Sequence, residues 1–74
     1  MVKQVDFSTL DSAATFIKDL IELEEARIQS VEWEAGRTKI ILSFPSRENT
    51  LYITIPYYTP VLVLEAISEP PGFD

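Results

Sequence analysis

The 74-residue sequence contains no cysteine and no histidine. The first absence removes disulfides, thiol chemistry and cysteine-based zinc sites. The second removes the commonest general base, the commonest metal ligand and the side chain that titrates near neutral pH. Glycine is scarce too: Gly36 and Gly72 each stand alone, whereas phosphate-cradling loops need several glycines at fixed spacing. No apolar run approaches the ~18 residues of a membrane span. Met1-Val2-Lys3-Gln4 leads directly into polar residues, with none of the pattern of a secretory signal. A cytoplasmic protein that does not enter the membrane is the expectation.

Bases are also few. Six Lys and Arg face twelve Asp and Glu, for a net charge of −6. The imbalance is uneven: residues 1–34 hold eight acids against three bases, residues 35–74 four against three. Direct nucleic-acid binding is not expected, because phosphate neutralisation needs clustered Lys and Arg.

What is present is a folding pattern. A hydrophobic fraction of 46% argues for a folded domain rather than disorder. In the stretch from Val31 to Ile55 three apolar-alternating segments follow one another, with Val31 and Trp33, then Thr38, Ile40, Leu42 and Phe44, then Leu51, Ile53 and Ile55 on one face. That period of two is the mark of half-buried strands. Ala35-Gly36 fits a two-residue hairpin loop, which sets Glu34 opposite Arg37, Trp33 opposite Thr38, Glu32 opposite Lys39 and Val31 opposite Ile40. Cross-strand charge pairs of this kind contribute roughly 0.2–1 kcal/mol each. For the second hairpin, a four-residue loop at 46–49 aligns Phe44 with Leu51, Leu42 with Ile53 and Ile40 with Ile55. An odd loop would scramble the faces. Trp33 falls on the inner face, as a core residue.

Upstream, Ser8 is the N-cap candidate of an amphipathic helix from about Thr9 to about Glu25, apolar at Leu10, Ala13, Ala14, Ile17, Leu20 and Ile21. Phe7 is placed to staple onto its first turn. Its far end crowds Glu22, Glu24 and Glu25, where the helix dipole favours cations. Downstream, Val61 to Ile67 reads in two ways. Its β-branched alternation favours a fourth strand; Thr59-Pro60, as N-cap and first helical residue, favours a helix. Residues 1–69 then form a single α+β domain: an N-terminal helix on a three- or four-stranded, mainly antiparallel meander, in the order α-β-β-β-β unless the last element is a helix. Residues 70–74 form an extended tail.

No catalytic residue, cofactor or metal ligand set emerges, and an enzyme is not expected. The outer sheet face carries Ile41 and Tyr52, with Tyr57 and Tyr58 following on a loop. Tyrosines of this kind suit a protein–protein contact patch. The expected role is that of an adaptor, inhibitor or accessory subunit with a protein partner. A second copy is one such partner, since an open sheet leaves strand edges unpaired. The exposed acids Asp19, Glu22, Glu24 and Glu25 support two alternatives: an acidic decoy that mimics nucleic acid, and a small metal-binding protein.

Overall fold

The computed structural model describes residues 2–68, so the tail expected at 70–74 lies outside the described residues. Along the chain the elements are β1 (Val2–Asp6), α1 (Leu10–Glu24), β2 (Arg27–Glu34), β3 (Arg37–Phe44), β4 (Asn49–Pro56) and α2 (Pro60–Ser68). The fold is α+β, with α1 followed by an antiparallel meander of β2, β3 and β4. Its sheet has four strands in the order β1-β4-β3-β2, and β1 runs parallel to β4. The sheet is therefore mixed.

Helix α1 begins one residue later than expected. Thr9, not Ser8, is its N-cap, and the Thr9 hydroxyl accepts a bond from the Ser12 amide at 3.3 Å. No glycine is present to end it. Glu25 takes the left-handed conformation instead, with φ at 58°, and the Ala26 amide donates back to the Leu20 carbonyl at 3.1 Å.

The first hairpin follows the expected register at all four pairs, from Glu34 opposite Arg37 to Val31 opposite Ile40. Ala35 and Gly36 have φ of 52° and 76°, as a tight hairpin turn requires. A bulge between Ile28 and Ser30 shifts the remainder of β2 by one residue.

The second hairpin has the expected parity but not the expected partners. Phe44 lies opposite Asn49, Leu42 opposite Leu51 and Ile40 opposite Ile53. The four-residue loop is thus 45–48, and the pairing slips by two residues, which leaves every face unchanged. Pro45 decides the matter. It has no amide to give a ladder, and its fixed φ suits the second position of a turn in which the Arg47 amide donates to the Phe44 carbonyl at 2.9 Å.

One element was not expected, and one open reading is decided. The fourth strand is β1, at the N-terminus, and Val61 to Ile67 belongs to helix α2. Thr59 holds the start of α2 through both its oxygens: its carbonyl accepts from the Val63 amide at 3.1 Å and its hydroxyl from Leu62 at 3.5 Å. Pro60 takes the first helical position, where a missing amide costs nothing.

The core lies between the sheet and the two helices. Ile17, Ile40, Leu42, Ile53, Ile55 and Val63 are fully enclosed, with Ala13, Ala26, Phe44 and Leu51 completing the cluster. Phe7 meets Phe16 of α1, with ring centroids 5.2 Å apart. Trp33 keeps its inner-face register but is 50% exposed, so it is not core. It sits next to the hairpin turn, on an outermost strand with a neighbouring strand on one side only.

Candidate functional site

Both helices contribute to the cluster that holds Ile40, Leu42, Ile53 and Ile55, so they occupy one face of the sheet. Strand alternation sends the neighbouring residues to the opposite, open face. The register arranges these residues in rows across the strands. One row runs Gln4, Tyr52, Ile41, Ser30, and the next runs Asp6, Thr54, Lys39, Glu32. A third sets Pro56, Arg37 and Glu34 side by side.

The two rows differ in chemistry. Tyr52 and Ile41 are half-buried neighbours at the centre of the first, flanked by amide and hydroxyl side chains. In the second, charges alternate in sign. The Lys39 ammonium lies over the Tyr52 ring, 4.8 Å from its centroid, a cation–π contact.

Asp6 anchors the other end of the charged row. The Thr54 hydroxyl donates to its Oδ1, and Gln4 Nε2 donates to the same oxygen at 3.3 Å. The Thr54 bond, then the Gln4 bond, then the Arg37 charge hold the Asp6 carboxyl below the ordinary value of 3.8, against a smaller opposing effect of burial. A carboxylate lowered in the folded state stabilises it above the unfolded pKa, and that contribution disappears as pH falls through the folded one. Asp6→Asn cannot titrate. The difference in thermal midpoint between wild type and Asp6→Asn is therefore expected to shrink as pH falls from about 5 to about 2. A difference constant across that range would show that Asp6 is not held by these donors.

Of the four residues expected in a contact patch, the structure brings two together. Ile41 and Tyr52 are cross-strand partners. Tyr57 is 87% exposed in the connection after β4, its amide donating to the Gly36 carbonyl at 3.0 Å. Tyr58 turns to the other side and packs against the core, while its carbonyl accepts a bond from the buried Thr38 hydroxyl. The positive φ of Tyr57, 68°, lies at this turn in the chain.

The acids are all on the surface. Asp19, Glu22 and Glu24 are exposed on α1, and Glu25 is its exposed C-cap. Arg47 reaches from the β3–β4 loop to pair with Glu24, and its guanidinium also covers the Phe44 ring at 4.7 Å. Among the described residues no group of three or more acids converges in a way that could hold a metal ion. No helix among them is long and apolar enough to cross a membrane.

Sequence reasoning missed the Asp6–Thr54 anchor because it depends on β1. It also missed a solvent-open cleft bounded by Val5, Phe16, Leu20 and Leu51, with Lys3 and Arg47 at its sides. Its walls come from β1, α1 and β4, and no sequence pattern marks it. Comparison with known proteins adds no relative, since no family model, no curated protein and no solved structure matches this chain.

Proposed function

We propose that this protein is a small, non-catalytic binding module that engages a protein partner through the open face of its sheet. One observation carries the reading. Tyr52 and Ile41 meet at the centre of a face that neither helix covers, while the other face is committed to the core. A half-buried tyrosine beside an aliphatic neighbour is the kind of anchor that interfaces are built around.

The charges on this face favour a protein partner over a nucleic acid. Arg37 and Lys39 stand opposite Glu34 and Glu32, so no basic strip tracks a phosphate backbone. The displacement of Asp6 is downward, away from the range a general acid needs at neutral pH. Cytoplasmic location and action as an adaptor, inhibitor or accessory subunit belong to the same proposal.

Capture from source lysate on immobilised wild type and Tyr52→Ala, at low salt and at about 0.5 M salt, tests it. Tyr52→Ala is expected to cost about 1 kcal/mol of stability and to abolish retention of a partner that survives salt. Retention equal on both proteins would overturn the reading. A partner lost in salt and indifferent to Tyr52 would instead assign binding to Asp19, Glu22, Glu24 and Glu25, and with it the nucleic-acid-mimicking role.

A further inference from the structure

A second surface lies at the edge of the sheet, apart from the open face. Strand β2 is outermost, eight residues long, and no described strand pairs with its outer side. An edge of this length is a template for another strand, which proteins usually blunt with charged side chains, proline, a β-bulge or a very short strand. β2 contains neither lysine nor proline, but it carries a bulge and three charges, Arg27, Glu32 and Glu34, so it accepts only a strand whose charges and irregularity match its own. It also carries Trp33, the sole tryptophan of the chain, half exposed although it points toward the helix side of the sheet.

We propose that β2 is the seam of a two-fold homodimer in which two four-stranded sheets join edge to edge into one continuous sheet.

The strand is self-complementary about Val31. An antiparallel copy centred there sets Val31 against Val31 and Ser30 against Glu32 of the other protomer. Beyond the bulge it sets Ile28 against Trp33 and Arg27 against Glu34. The two-fold axis passes through the Val31 pair and repeats the others, giving three apolar pairs on the inner face and two opposite-charge pairs on the outer face. The bulge makes this possible. In an unbroken strand, Arg27 and Glu34 would belong to opposite faces whenever Val31 met itself. With one extra residue between Ile28 and Ser30, every pair is inner with inner or outer with outer.

Neighbouring registers are worse. Centring on Glu32 sets that acid against itself and leaves Arg27 without an acid. Centring on Ser30 shortens the ladder and brings Glu34 opposite Glu25, with Trp33 left at the margin. Like charges directly opposite destabilise a strand pair and opposite charges support it. The Ser30 register still pairs Arg27 with Glu32, but over a shorter ladder; the Val31 register pairs Arg27 with Glu34 along the full strand and covers the tryptophan.

Two effects limit the affinity. A single strand pair is a small interface, and each chain brings a net charge of −6 that opposes association at low salt. The expected dissociation constant is on the order of 10 μM, and salt should not weaken the dimer, because screening relieves the net repulsion.

Sedimentation equilibrium from about 1 to about 500 μM, with Trp33 emission recorded over the same series, tests the seam. The mass should rise from one chain to two, and the emission should move to the blue in step. Arg27→Glu should weaken the dimer about tenfold, and Arg27→Glu with Glu34→Arg should recover most of that loss. Circular dichroism checks that each variant is folded. A monomer throughout the series would overturn the proposal. So would a dimer whose tryptophan emission stays constant and whose affinity ignores Arg27, since that dimer uses another surface.

Discussion

Leu42→Ala is expected to remove about 2–5 kcal/mol of stability. The side chain is fully enclosed, between Leu51 on β4 and Ile28 on β2, in the same cluster as Ile17. A chain of this length holds roughly 4–11 kcal/mol in all, at ordinary stability per residue. The loss is therefore a large share of the whole. The thermal midpoint should fall by about 10 °C at the least, and the variant should be measurably unfolded at room temperature if the starting value lies near the lower bound. Urea melts followed by circular dichroism read this directly. An unchanged midpoint would show that the inner face of β3 is not where the core lies.

Val63→Asp should be at least as damaging, and its comparison with Val61→Asp is more informative. Val63 is fully enclosed, whereas Val61, two residues earlier, is 65% exposed. A helix separates these positions by about 200°, but a strand would place them on one face. An aspartate at 63 buries a charge without a partner, an effect of several kcal/mol. At 61 it sits in the first turn of α2, where the helix dipole favours an acid, and stability should change by no more than about 0.5 kcal/mol. Equal damage at both positions would reinstate a strand at the C-terminal end.

That ambiguity shows where sequence reasoning reaches its limit. Val-Leu-Val-Leu suits a buried strand or a buried helix, and only Thr59 and Pro60 distinguish them. The β2–β3 pairing was legible because Ala35-Gly36 allows one tight turn and the flanking charges agree with it. For β3–β4 the apolar alternation gives the faces but not the partners, since a slip of two residues leaves the pattern intact. Pro45 held the missing information. β1 was hidden for a different reason. Its inner-face position opposite Leu51 is occupied by Lys3, which breaks the alternation that marks a strand.

The candidate surface was half legible on the same grounds. Ile41 and Tyr52 follow from strand parity, which was right. Tyr58 does not, because the left-handed residue before it swings the chain to the core side. Trp33 was placed on the correct face, but parity says nothing of which strand lies outermost.

The place of β1 also orders the events by which the chain assembles. Its residues join β4 across a separation of 48 positions, Val2 to Thr50, while the remaining strands meet through short turns. The entropy of closing so long a loop is lost before its contacts form. Among the described side chains of β1, Val5 packs against the core, and it does so only in part. The meander and α1 therefore come together first. The opening strand of the sequence is the closing strand of the fold, and the first to come away when the native state loosens.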